Sequence, residues 1–229
     1  MTYICTHTDF NEYISEGDYS IISSTPLSNS YSFPVILSDN ELLPLQFGYA
    51  EGYMIYDIWK KHSLNHEWIG INHYRRYFDS VSDTTILPTP LSFNMNLQYQ
   101  SCHNINDLLQ IESIIDTYYP SYHLEYSSIN ILYPCNMFVL SNSDFNAYCE
   151  FVFSVLNIFN KQNNLYSDND NLSYVTNNAY MYLNKDFKYQ SRLQGFLMER
   201  IGTIFFINHF KDKPVYHQSI NVVSSKKTK

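Results

Sequence analysis

The stretch WIGINHYRRYFD, Trp68 to Asp79, joins the short apolar run WIGI to a burst holding His73, Tyr74, Arg75, Arg76, Tyr77 and Phe78. Four such residues before polar neighbours read as a buried strand. In open α/β sheets, ligands bind beyond the carboxyl ends of strands, and the cluster then stands at such an end. Arginine presents a planar fork of donors suited to phosphate oxygens, and paired cations stabilise a diphosphate leaving group as its charge develops. The competing reading is a pair of structural arginines bonded to some of the 22 acidic residues. Two adjacent arginines flanked by aromatics, in a chain with only 14 Lys and Arg, favour the anion site.

Outward from this stretch, strand and helix patterns alternate. TYICTH and YSIISS are β-prone runs, and LQFGYAEGYMIYDIWKKH places Phe47, Met54, Ile55, Ile58 and Trp59 near helical spacing, with Lys60, Lys61 and His62 at its C-terminal end. Residues 26 to 44 are rich in Ser, Asn and Pro and read as a loop. Downstream come a proline-bearing loop (ILPTPLSF), a helix over 106–118 stopped by Pro120, a strand, turn and strand in INILYPCNMFVLS, and a capped amphipathic helix over 143–160. NKQNNLYSDNDNLSY reads as a polar surface loop. YQSRLQGFLMERIGTIFFINHF reads as a final helix. The alternation predicts an α/β sheet protein, with one domain over 1–220 and a disordered basic tail over 221–229.

Composition narrows the chemistry. At 229 residues, 45% hydrophobic and 16% charged, the chain can bury one sizeable core. No apolar run approaches the roughly 20 residues of a spanning helix, and the opening MTYICTHTDF lacks a basic, then apolar, leader pattern. A cytoplasmic location is expected. The four cysteines are widely spaced with no CxxC pair, which argues for buried thiols over zinc or disulfides. The net charge of −8 disfavours nucleic acid as a partner. Only six glycines are present, and neither GxGxxG nor a P-loop can be assembled. A bound phosphate must therefore be held by side chains.

Two further sets of residues can carry chemistry. Glu199-Arg200 lies on the final helix with Arg192 seven residues earlier on roughly the same face. A glutamate beside arginines is a general base or an ion-pair partner, and spacing alone favours the ion pair. His7, ending the first strand, is a nucleotide contact or a core histidine, and the core reading is the simpler. The DNDN run at Asp168–Asn171 has the composition of a metal loop but no EF-hand glycine or distal glutamate, so a solvated loop is expected.

In combination, EGYMIYDIWKK (Glu51 to Lys61), WIGINHYRRYF, CNMFVLSNSDFNAYCEFVF and RLQGFLMER resemble, in order, the motifs of the bacterial DUF4422 family. Members of that family are glycosyltransferases, or presumed ones, from capsule, lipopolysaccharide and exopolysaccharide clusters. The resemblance implies a GT-A-like nucleotide-sugar-binding fold with a central mixed sheet flanked by helices. It implies hexosyl transfer, plausibly of galactose in pyranose or furanose form, from a UDP-sugar to a lipid-linked or oligosaccharide acceptor, with at most peripheral membrane association. A catalytically silent sugar- or nucleotide-binding module of the same shell is the alternative.

By the same comparison, NHYRR takes the place where GT-A enzymes carry an Asp-x-Asp metal motif. His73, Arg75 and Arg76, with Arg192 and Arg200, are thus expected to hold the donor diphosphate without any required metal. Glu199 becomes the expected catalytic base. Thr6 and His7 fall near the nucleotide, and Tyr74, Asn136, Met137, Phe138 and Glu51 on the acceptor or sugar side. This chain departs from the family helix at Glu51-Gly52-Tyr53 and at Asp57, which leaves that helix's role open.

Overall fold

A computed structural model of the chain describes residues 1–14, 17–78 and 83–223. WIGI is indeed strand: β4 spans Trp68–His73 and lies at the centre of the main sheet. Three parallel strands sit to one side of it, β1 (Thr2–Thr6), β2 (Tyr19–Ser23) and β3 (Val35–Leu37). On its other side runs β9 (Phe138–Ser141), antiparallel, followed by β6 (Ile86–Pro88) and β10 (Tyr216–Gln218). The short β5 (Arg76–Tyr77) folds back on β4 at His73 and pairs β11 (Asn221–Val222). A separate ribbon joins β7 (Leu91–Ser92) and β8 (Ile131–Leu132).

The period-2 alternation of β1 explains the two-sided burial. Tyr3 and Cys5 enter the main core, whereas Ile4 joins Ile21 and Tyr74 in a cluster on the other face. Phe10, Tyr13, Tyr31 and Phe33 cover that second cluster from the loops after β1 and β2. The helices are α1 (Gln46–Tyr49), α2 (Glu51–Asp57), α3 (Met95–Cys102), α4 (Ile105–Tyr118), α5 (Asn142–Asn163), α6 (Asp168–Asn177), α7 (Phe187–Gln190) and α8 (Leu193–His209). The main core lies where α2, α4, α5 and α8 meet the sheet, with Ile55, Ile71, Leu140, Leu156 and Ile201 fully or almost fully buried.

Several sequence expectations need correction. The loop read over 26–44 contains β3, ILPTPLSF contains β6 and β7, and α3 follows it unannounced. DNDN opens α6: Ser167 accepts from the Asp170 N–H at 3.2 Å while the Asp170 carboxylate accepts from the Ser167 hydroxyl at 2.9 Å. Asn171 is wholly buried, so this is no solvated loop. Asn221 and Val222, assigned to a disordered tail, form β11; residues 224–229 lie outside the described residues. Asp79, the end of the opening stretch, lies outside them too.

Candidate active site

The parallel strands set the site. Beyond the carboxyl ends of β1 and β2 opens a cleft of about 490 Å³, walled by α1–α2 and by the approach to α8. His7, Thr25, Glu51, Asp168, Lys188 and Arg192 contribute its polar lining. Ala50, between α1 and α2, has φ 50° and ψ −124°, a conformation that an L residue other than glycine rarely adopts. The strain is of the order of 1–3 kcal/mol, and it falls at the residue that turns Glu51 toward the cleft. α8 approaches closely here, because a Cβ on Gly195 would stand 3.1 Å from the Ala50 Cβ and 3.3 Å from the Tyr49 carbonyl oxygen.

Glu51 is the hub. Its Oε1 lies 3.0 Å from His73 Nε2 and its Oε2 lies 3.7 Å from Arg192 Nη2. Burial pushes the carboxyl up, but the His73 hydrogen bond and the Arg192 charge win and hold it at about 2. His73 is itself buried, and its Nδ1 accepts from the Arg75 backbone N–H at 3.1 Å. That bond fixes the tautomer with the proton on Nε2, aimed at Glu51. Tyr13 donates to the His73 carbonyl oxygen at 2.9 Å. His73 is therefore a brace, and the expectation that it contacts a diphosphate is corrected: both of its ring nitrogens are engaged.

The arginines divide. Arg75 is exposed, packs 4.9 Å from the centre of the Tyr74 ring, and acts electrostatically on His7. Arg76 is half-buried and acts on Glu199 and Cys135. Neither guanidinium has a carboxylate within ion-pairing distance among the described residues. Arg192 lines the cleft. Arg200 does not: 2% exposed, it bonds the Phe196 carbonyl at 3.0 Å, Gln98 and Glu199, and lies over the Tyr99 ring. Burial and a nearly full set of partners remove it from the expected diphosphate contacts.

Glu199 sits at the other end of the same neighbourhood. Its Oε1 accepts from the Cys135 N–H at 2.8 Å and its Oε2 from Arg200 at 3.0 Å. Burial raises its carboxyl above the ordinary range against the pull of Arg200 and that N–H. Cys135 and Asn136 both adopt positive φ, 73° and 49°. The Asn136 side-chain oxygen is buried with no hydrogen-bond partner among the described residues, an acceptor available to a hydroxyl.

Other expected contacts fall away. Met137 and Phe138 are core residues, packed with Ile86 and with Phe145 and Tyr148 respectively. Thr6 is buried and its hydroxyl closes a local turn onto the Thr8 carbonyl at 2.6 Å. Tyr74 is buried beneath Phe10, with its hydroxyl 3.5 Å from His7 Nε2. His7 itself is exposed on the cleft wall, and burial of its ring, with His73, Arg192 and Arg75 nearby, lowers its pKa against the pull of Glu51. Reading the sequence missed Lys188, Asp186 and Asp168 at the cleft. Asp168 accepts from the Phe47 and Gly48 N–H groups at 3.0 and 2.8 Å, a contact across 120 residues that no local pattern reveals.

β4 ends in Asn72-His73, and Glu51, the carboxylate beside them, has one oxygen on His73 and the other facing Arg192. Among the described residues no group of three His, Cys, Asp or Glu is placed to hold a metal ion.

A mixed sheet with a parallel half, helices on its faces and a crevice at the carboxyl ends of the parallel strands is a GT-A-like fold. The DUF4422 family, described as a domain of unknown function, matches residues 81–176, and the resemblance to that family holds. The matched segment contains the CNMF motif and starts beyond HYRRYF. Among solved structures, the apo form of the WbbM bifunctional glycosyltransferase superposes with a TM-score of 0.72 at 18% identity, over 97% of this chain. The chain spans 45% of that protein's length. No curated protein matches the sequence.

Proposed function

We propose that the chain is a glycosyltransferase moving a hexose, plausibly galactose, from a UDP-sugar to a growing capsule, lipopolysaccharide or exopolysaccharide glycan. It would act in the cytoplasm, at most peripherally on the membrane. The observation that carries this reading is the cleft beyond β1 and β2, lined by His7, Glu51 and Arg192, with Arg75 near enough to act on His7 and with neither Arg75 nor Arg76 ion-paired among the described residues. In an acidic chain, adjacent guanidinium groups without an ion pair among the described residues offer a place for an anionic ligand.

In this reading Arg75, Arg76 and Arg192 take up the charge that develops on the departing diphosphate. Glu51, kept ionised, accepts hydrogen bonds from sugar hydroxyls, and His7 borders the nucleotide. Glu199, whose raised pKa makes it the better proton acceptor, removes the proton of the acceptor hydroxyl while Asn136 orients that group. The acceptor oxygen bonds to the anomeric carbon as the bond from that carbon to the donor phosphate oxygen breaks; the proton ends on Glu199 and UDP leaves with the electron pair of the broken bond. The test is a panel of nucleotide sugars screened by thermal shift and by transfer to oligosaccharide acceptors, with and without EDTA. UDP-sugar binding and EDTA-resistant turnover support the proposal. Binding with no transfer would point instead to a silent module, and strict dependence on Mn²⁺ or Mg²⁺ would overturn the arginine assignment.

A further inference from the structure

A second cavity of about 360 Å³ lies on the opposite face of α1–α2 from the cleft. Glu51 and Met54 of α2 line the cleft, whereas Tyr49 of α1 and Tyr56 of α2 wall the cavity. Its floor is aromatic, with the partly exposed Trp59 as its accessible ring and Tyr49, Tyr56 and Phe153 buried in the core behind it. Trp59 stacks on Phe153 with ring centres 5.8 Å apart and planes at 9°, and Tyr56 meets Phe153 edge-on at 4.9 Å. The Trp59 Nε1–H donates to Asn146 at 3.0 Å and Lys60 Nζ lies 3.5 Å from the ring, so the indole is held in one orientation. Around this floor stand Glu41, Asn157 and Lys161, an acceptor, an amide and a donor, all exposed. None of the three makes an ion pair among the described residues.

We propose that this cavity is a saccharide-binding site separate from the cleft. Sugars present apolar C–H faces, which pack on aromatic rings, and a belt of hydroxyls, each both donor and acceptor. An aromatic floor ringed by an acid, an amide and an amine matches both surfaces at once. A purely apolar ligand would leave the Glu41, Asn157 and Lys161 groups unused, and a simple anion would have no need of the rings. Glycan bound here touches the same kinked helix pair that carries Glu51. The site does not depend on the transferase reading, because it would hold glycan whether or not the cleft turns over.

The chain has two tryptophans, so a Trp68→Phe background makes Trp59 the sole indole reporter. In that background, maltotriose, a β-1,4-linked galactotetraose and a trimer of N-acetylglucosamine are titrated against Trp59 emission, with and without saturating UDP. A saturable shift with at least one oligosaccharide is expected, unchanged by UDP. It should weaken at least tenfold in Ser154→Phe, which fills the cavity from α5, and in the milder Asn157→Ala. Circular dichroism checks that both variants fold. Silence toward all three sugars into the tens of millimolar, an undiminished response in both variants, or competition by UDP would each overturn the proposal. Transfer activity measured in the same variants keeps its failure distinct from that of the glycosyltransferase reading.

Discussion

At the scale of the residue, arginines that look alike in the sequence take opposite roles in the fold. Arg75 and Arg76 form no ion pair among the described residues, whereas Arg200 is enclosed by Gln98, Tyr99 and Glu199. Replacing Arg75 or Arg76 by Ala should leave the melting temperature within about 2 °C of the parent, since changes at positions without buried partners stay within about 0.5 kcal/mol. UDP affinity should fall about 10- to 100-fold per arginine, the equivalent of one charged hydrogen bond of about 1.5–3 kcal/mol. Arg200→Ala should do the reverse, costing about 1–3 kcal/mol by leaving the partly buried Glu199 carboxylate and Gln98 without their guanidinium partner. Denaturant unfolding beside UDP titration reads both arms, and a stability loss at Arg75 matched by none at Arg200 would reverse the assignment. His73→Ala tests the brace: the Glu51 carboxyl, now at about 2, should climb toward the ordinary value near 4.5. Carbonyl ¹³C titration of Glu51 would show it, and an unmoved titration would mean that Arg192 alone sets the charge.

Among the elements, what could be read in advance was what local pattern controls. WIGI, the 105–118 helix and the Ser141-capped helix α5 announce themselves through apolar period and cap residues, and all three form close to the expected bounds. β3, β6 and β11 have two or three residues each, and neighbours in the sheet define them more than their own sequence does. The site divides likewise. HYRRYF drew attention to the end of β4, but the link from His73 through Glu51 to Arg192 spans three elements, and the burial of Arg200 depends on α3, which carries no strong apolar period. One element contact is directly testable, the crossing of α8 over the α1–α2 junction. Gly195→Ala would put a methyl group against Tyr49 and Ala50 backbone and side-chain atoms that are fixed by the kink. An overpacking cost of about 1–3 kcal/mol is expected, or a melting temperature lower by roughly 2–12 °C for a chain of this size. The Glu51 approach should suffer with it, so an unchanged melting temperature together with unchanged donor binding would show that the helices are free to separate.

For the whole molecule, the most consequential buried group lies away from the cleft. Asp107 in α4 is fully buried, and burial pushes its carboxyl up to about 7 even though the Tyr174 and Tyr182 hydroxyls donate to it at 2.8 and 3.4 Å. Asn104 adds a third donor at 3.1 Å. The folded chain therefore keeps this proton to near neutral pH, whereas an unfolded chain releases it near pH 4. Stability from proton retention is complete below about pH 4 and drains away as pH rises through 7, by an amount on the order of 4 kcal/mol at most. Glu51 runs the other way, its depressed carboxyl contributing fully above about pH 4.5 and losing its contribution only as pH falls toward 2. Between pH 5 and 8 the Asp107 effect is thus not offset by Glu51. Asp107→Asn keeps an oxygen to accept from Tyr174 but cannot ionise, so the variant should lose less stability than the parent between pH 5 and 8. The difference between the two slopes, read from urea unfolding at each pH, isolates this one residue from the other groups that titrate in the window. Parallel slopes would show that the folded chain already releases the Asp107 proton well below neutrality, with the tyrosine hydrogen bonds outweighing burial.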